Sequence, residues 1–123
     1  SCAVQHNLPV KIFILNNEWM GMVRQWQQLL HGERYSHSYS DSLPDFVKLA
    51  EAYGCHGQMC DDPARLDDAI LEMIDSPKPV IFDCRVEKAE NCFPMIPSGA
   101  AHNEMILGQI TGEEIGEAGK VLV

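Results

Sequence analysis

The chain has 123 residues, 46% of them hydrophobic and 22% charged. That length suits one small domain burying roughly two-thirds of the surface its unfolded form exposes, and that composition excludes disorder along the whole chain. The net charge of −9 has the wrong sign for long-range nucleic-acid binding, no apolar run approaches the roughly 18 residues a membrane span needs, and no basic segment followed by an apolar stretch marks a secretory signal.

The acidity is uneven. Residues 1–40 hold three basic and two acidic side chains, so the acidic excess falls in the remainder. Its plain meaning is solubility. The five cysteines, Cys2, Cys55, Cys60, Cys84 and Cys92, are odd in number and come without a secretory signal. They point to a reducing compartment rather than a disulfide framework. Cys55-His56 and Cys60 lack zinc-finger spacing, so buried, unreactive thiols are expected.

The first residues, Ala3-Val4-Gln5-His6, read as if already inside an element. Val10–Leu15 follows Leu8-Pro9 as a β-branched and aromatic run, a buried strand that stops at the turn-favouring pair Asn16-Asn17. Met20–Leu30 reads as a helix or helical lid, with apolar Met22, Val23, Trp26, Leu29 and Leu30 at spacings of three and four. Arg34–Ser42 is a polar and aromatic loop. In it Tyr35, His37 and Tyr39 are expected to face solvent.

A second helix is announced by Ser42 and Asp45, spaced like a capping box, with Pro44 in the first turn. Phe46, Leu49, Ala50 and Tyr53 make its apolar face, and Gly54 closes it. Cys55–Met59 is a candidate short strand. Asp62-Pro63 starts a third helix as cap and first-turn proline, with Leu66, Ala69, Ile70, Met73 and Ile74 on one face. Ser76-Pro77 ends it, because the residue before proline is pushed out of helical space. Pro79–Val86 begins apolar on both faces, as a strand covered by helices does.

From Asn91 to Asn103 two prolines and a glycine forbid long regular structure, yet Phe93, Met95 and Ile96 give the segment something to bury. Beyond Gly108 the glycines and glutamates suggest a loosely ordered tail. The order strand, helix, helix, strand, helix, strand predicts an α/β fold with a parallel sheet.

Ligands of parallel α/β sheets collect at the carboxyl ends of strands, where Asn16-Asn17 falls. An Asn carbonyl is a neutral, hard oxygen that suits Mg²⁺, which takes oxygen ligands and commonly pairs with phosphates. By itself a double Asn after a strand reads as a simple turn. Met22, Val23 and Trp26 at helical spacing, taken alone, read as a core face.

The residues Asn16-Asn17-Glu18-Trp19-Met20-Gly21-Met22-Val23-Arg24-Gln25-Trp26-Gln27 resemble the second half of the thiamine-diphosphate signature of acetohydroxyacid (acetolactate) synthase catalytic subunits. The resemblance continues through Pro44–Ala50, Lys78–Asp83, Asn91–Gly99 and His102–Met105, and covers about Val4 to Leu107. It implies a partial thiamine-diphosphate-binding domain over residues 1–90, an irregular C-terminal arm over the active site at 91–108, and a tail at 109–123.

By position the resemblance assigns Asn17 as a side-chain ligand of Mg²⁺ and Trp19 as a donor of its backbone carbonyl to the same ion. Met20 opens the cap over thiamine diphosphate, Met22 supports the bent cofactor and Val23 lines the same pocket. Trp26 shapes the pocket for the second 2-oxoacid and favours 2-oxobutanoate over pyruvate. His102 is expected to be structural, and no residue is assigned proton transfer. The family's Gly-Asp half-motif, its activating Glu and its FAD-binding domain have no counterpart in these residues.

The resemblance therefore implies the C-terminal part of a longer catalytic subunit, inactive alone. The parent enzyme would decarboxylate pyruvate and join it to a second 2-oxoacid in branched-chain amino acid biosynthesis. Its partners would be the rest of that subunit, a second catalytic subunit in a homodimer or tetramer, and a regulatory subunit. Its place would be a bacterial cytoplasm or an organelle stroma or matrix. Two alternatives stay open: another thiamine-diphosphate-dependent carboligase or decarboxylase, and a non-catalytic α/β binding module.

Overall fold

The computed structural model describes residues 1–108, and the tail expected over 109–123 lies outside them. The elements are α1 (Cys2–Gln5), β1 (Lys11–Asn16), α2 (Gly21–Leu30), α3 (Phe46–Ala52), β2 (His56–Cys60), α4 (Leu66–Asp75) and β3 (Val80–Arg85), with single 3₁₀ turns at Pro63–Arg65 and His102–Glu104. They gather into two compact units. One joins Ser1–Trp19 to Tyr39–Ala89; the other joins Met20–Ser38 to the described residues from Glu90 to Gly108.

The first unit is built on a parallel three-stranded sheet of order β1-β3-β2. The central strand β3 is the apolar run Val80-Ile81-Phe82, and it pairs Phe82 with Phe13 on one side and Gln58 on the other. Successive side chains of a strand point to opposite faces. Val80, Phe82 and Cys84 therefore share one face, where they form a buried cluster with Cys60, Ala69 and Met73, flanked by Leu66 and Ile70 of α4. The Gln58 amide donates to the Ala69 carbonyl at 2.9 Å and ties α4 to the same face. Fully burying Phe82 contributes about 1.5–3 kcal/mol, and its ring meets Phe13 edge-on at 4.7 Å.

The opposite face carries α3. Gly57 lies directly under Val47, so closely that a Cβ on Gly57 would come within 2.7 Å of the Val47 carbonyl oxygen. Asp45 starts α3: its carboxylate accepts from the Lys48 amide at 3.0 Å. Ser42 is not the cap, and Pro44 precedes the helix rather than sitting in its first turn. Asp45 alone has the extended backbone and the reach to the third helical amide that a cap requires. Gly54 closes the helix as expected, with a left-handed φ of 78°. Asp62 caps the turn at Pro63–Arg65 through the Ala64 amide at 2.9 Å, and α4 follows. Ile74, expected on the core face, is 57% exposed, as is Leu71 beside it at 58%. Only Leu66, Ala69, Ile70 and Met73 reach the sheet.

The second unit buries a polar face of its helix. The apolar face of α2 is not its buried face: Met22, Val23 and Trp26 are exposed, whereas Arg24 and Gln25 are buried at 3% and 1%. The irregular chain after Glu90 offers unpaired backbone groups, which buried polar side chains satisfy and apolar ones cannot. Gln25 grips Cys92 at both main-chain atoms: Oε1 accepts its N–H at 2.7 Å and Nε2 donates to its carbonyl at 3.0 Å. The same amide nitrogen lies 3.0 Å from the Met95 sulfur. Arg24 donates to the Glu90 carbonyl at 2.9 Å and to Asn91 Oδ1 at 2.6 Å, and Asn91 Nδ2 returns a bond to Gln28 at 3.0 Å. Buried Met95 pairs with Ile106 by reciprocal main-chain bonds of 2.9 and 2.7 Å.

Candidate functional site

The two asparagines at the carboxyl end of β1 do different work. Asn16 is buried: Nδ2 donates to Asp83 Oδ1 of β3 at 2.8 Å, and Oδ1 accepts the Glu18 amide at 3.1 Å. It welds the ends of two strands together. Asn17 is only half-buried, and its Oδ1 accepts one bond, from the Trp19 amide at 3.1 Å. An amide oxygen carries a second lone pair; on half-buried Asn17 it stays within reach of a ligand, whereas Asn16 is buried with its amide tied to Asp83.

Between Asn17 and Trp19 the chain turns through Glu18 at a φ of 61°. A left-handed backbone is uncommon for a residue with a Cβ, and the surroundings enforce it. The Glu18 carbonyl accepts the Ser40 amide at 2.8 Å. Its carboxylate meets Arg85 at 3.0 Å, the Tyr39 hydroxyl at 3.0 Å, and the Lys88 ammonium. Arg85 in turn bridges to buried Asp83 at 3.0 Å. Lys88, then Tyr39, hold the Glu18 carboxyl below the usual range, while Glu18 holds the Lys88 ammonium above its own. The Tyr39 and Trp19 rings pack at 5.0 Å, so Tyr39, expected simply in solvent, anchors this turn.

Met20 is exposed at the start of α2, its N–H bonded to the Ser38 carbonyl at 2.8 Å. The exposed side chains Met22, Val23 and Trp26 line an open cavity of about 600 Å³ with Gln27, His31 and Arg34. Gln27 is pinned beside it, accepting from buried Ser38 at 2.6 Å and donating to the Ser36 carbonyl at 2.9 Å. Such a wall has an apolar side and a cationic rim, the composition that small-molecule sites use. Thus Asn17 and Trp19 belong to the first unit, and Met20, Met22, Val23 and Trp26 to the second.

The donor chemistry at Asn17 can be tested against Mg²⁺. Among the described residues no group of three or more His, Cys, Asp or Glu side chains could hold a metal by itself. What this chain offers is one amide oxygen and main-chain carbonyls. That suits an ion that takes only one or two protein ligands and completes its octahedron with water and phosphate.

Known proteins resemble this chain over most of its length. The model of the thiamine pyrophosphate enzyme family, C-terminal TPP binding domain, matches residues 1–84. The chain belongs to this family. It is 50% identical over 103 residues to the acetolactate synthase large subunit of Pyropia yezoensis, covering 83% of this chain and 18% of that protein. Against the large subunit of Haemophilus influenzae identity is 43% over 110 residues, 89% of this chain and 19% of the relative. Against the mitochondrial acetolactate synthase catalytic subunit of Aspergillus candidus it is 38% over 107 residues, 87% of this chain and 15% of the relative. The chain spans less than a fifth of the length of these curated relatives.

In this TPP-binding domain the sequence pointed to Asn17, Met22, Val23 and Trp26, but not to the side chains that surround them. Glu18, Arg85 and Lys88, and the buried pair Arg24 and Gln25, were not singled out by the sequence. One signal for the latter was legible: Arg24, Gln25 and Gln28 recur at helical spacing as regularly as the apolar residues do. Among the described residues no helix is long and apolar enough to cross a membrane.

Proposed function

We propose that this chain serves an acetolactate synthase, as the part of the catalytic large subunit that holds thiamine diphosphate through Mg²⁺ and selects the second 2-oxoacid. The observation that carries the reading is the turn at the end of β1, where Asn16 is buried and tied to Asp83 while the half-buried Asn17 oxygen, with one lone pair unused, lies beside the Trp19 main chain. In it Asn17 Oδ1 and the Trp19 carbonyl ligate Mg²⁺. Met20, Met22 and Val23 support the cofactor, and Trp26 bounds the pocket for the second 2-oxoacid.

When bound, thiamine diphosphate supplies the electron sink for decarboxylation and carbon–carbon bond formation. The protein's own residues bind, orient and exclude water. No side chain of this chain takes a proton-transfer role. Residues 1–90 form the C-terminal part of the cofactor domain, and 91–108 an arm held by Gln25 and Arg24. FAD, the remainder of the large subunit, a second large subunit in a homodimer or tetramer, and a regulatory subunit complete the assembly. It works in a bacterial cytoplasm or an organelle stroma or matrix, and the chain by itself forms no acetolactate.

Asn17→Ala, made in the assembled catalytic subunit, tests the reading. Removing a side-chain ligand is expected to weaken Mg²⁺-dependent binding of thiamine diphosphate by more than about tenfold, judging by what loss of an outer-shell partner costs. Unchanged Mg²⁺ dependence would refute the metal assignment.

A further inference from the structure

We infer that Glu18 is a positioning residue for the metal-binding turn, holding Asn17 Oδ1 and the Trp19 main chain in ligand geometry without itself becoming a ligand. The inference rests on the reading of Asn17 as a Mg²⁺ ligand.

Every polar atom of Glu18 is occupied. Its N–H donates to Asn16 Oδ1 at 3.1 Å and its carbonyl accepts the Ser40 amide at 2.8 Å. Oε1 meets Arg85 at 3.0 Å; Oε2 meets the Tyr39 hydroxyl at 3.0 Å and the Lys88 ammonium. The chain of contacts then closes on itself. Arg85 binds Asp83 at 3.0 Å, Asp83 binds Asn16 at 2.8 Å, and Asn16 receives the Glu18 amide. Arg85 and Lys88 follow from β3, so the end of the central strand holds the carboxylate in place.

Two consequences follow. The backbone of Glu18 sits at a φ of 61°, a conformation that a side-chain-bearing residue keeps only where its surroundings over-determine it. That turn brings the Trp19 amide back to Asn17 Oδ1. In addition, two cations and a phenol engage both carboxylate oxygens. The Glu18 carboxylate is thus occupied by other partners, and the neutral amide of Asn17 is the side chain of this turn that would ligate the ion.

The test uses the assembled catalytic subunit with thiamine diphosphate, and Mn²⁺ as a paramagnetic probe whose free concentration is read by electron spin resonance. The variants are Glu18→Gly, Glu18→Gln and Asn17→Ala. Glycine accepts the left-handed backbone but brings no carboxylate. Glu18→Gly is therefore expected to bind Mn²⁺ about 10–100-fold more weakly, the usual cost of losing an outer-shell partner, with no fall in the metal-free thermal midpoint. Glu18→Gln is expected to lose affinity similarly, because an amide cannot hold both cations.

If Asn17→Ala abolishes tight Mn²⁺ binding while Glu18→Gly leaves it unchanged, the positioning role is refuted and the metal reading stands. If Glu18→Gly loses affinity and metal-free stability together, Glu18 is merely structural and the inference fails. If Asn17→Ala itself has no effect, the metal reading falls first.

Discussion

Replacing Gln25 by alanine should free the chain around Cys92 from α2. Gln25 is almost fully buried and bonds the Cys92 amide at 2.7 Å, the Cys92 carbonyl at 3.0 Å and the Met95 sulfur at 3.0 Å. A net hydrogen bond contributes about 0.5–1.5 kcal/mol, and a buried group left unsatisfied costs about 1–3 kcal/mol. Cys92 is exposed, so water can recover part of what its two main-chain groups lose. The sulfur contact is weak.

The expected loss is therefore about 1.5–3 kcal/mol of local stability, a roughly 10–150-fold rise in opening at 1.4 kcal/mol per factor of ten. The assay is hydrogen exchange at the Cys92 amide, followed residue by residue. The Val80 and Phe82 amides in the central strand serve as internal controls, and their exchange should stay within about threefold of wild type. A Cys92 amide that exchanges at the wild-type rate in Gln25→Ala would show that the clamp does not hold the arm.

Three other perturbations have definite outcomes. Gly57→Ala puts a methyl within 2.7 Å of one Val47 backbone atom and 2.9 Å of another; no rotamer change relieves that, so overpacking of about 1–3 kcal/mol should lower the thermal midpoint by about 4–8 °C per kcal/mol, and an unchanged midpoint would contradict the packing of α3 on β2. Trp26→Leu in the assembled enzyme should lower the preference for 2-oxobutanoate over pyruvate, measured as the product ratio in a competition assay; a constant ratio removes Trp26 from the pocket. The Asp45 carboxyl is held below its usual range, first by the Lys48 amide and then by the Lys48 side chain. Because its folded pKa is depressed, its contribution is fully present above the ordinary value of about 3.9 and is lost as pH falls through the lowered one. The midpoint difference between wild type and Asp45→Ala should therefore shrink on acidification, and a constant difference from pH 6 to pH 2 would exclude the charged cap.

Much of the sheet was legible because its signal is local. Val10–Leu15 and Pro79–Val86 are apolar, β-branched runs between turn residues, and they appear as Lys11–Asn16 and Val80–Arg85; β1 is not the buried strand expected, however, because it lies at the sheet edge outside the buried cluster and leaves Ile12, Phe13 and Leu15 exposed. The fold class follows from their alternation with helices. The helix faces were less legible, since periodicity reveals that a helix is amphipathic but not which face meets the protein. In α2 the irregular arm needs hydrogen-bond partners more than it needs apolar cover, so Arg24 and Gln25 turn inward and Met22, Val23 and Trp26 turn out. Ile74 failed for a different reason: ten helical residues present more apolar side chains than a three-stranded sheet can cover. The Glu18 network was invisible because its members are up to 70 residues apart, and nothing in a lone acidic residue announces two cations from the end of another strand. The double Asn was readable as a motif, while the division of labour between Asn16 and Asn17 needed Asp83 beside them.

The most direct test of the central claim is the product formed from pyruvate by the assembled catalytic subunit carrying this chain, with thiamine diphosphate and Mg²⁺ supplied. The account predicts 2-acetolactate, with 2-aceto-2-hydroxybutanoate appearing when 2-oxobutanoate is added. Acetaldehyde as the main product, or no consumption of pyruvate, would contradict it.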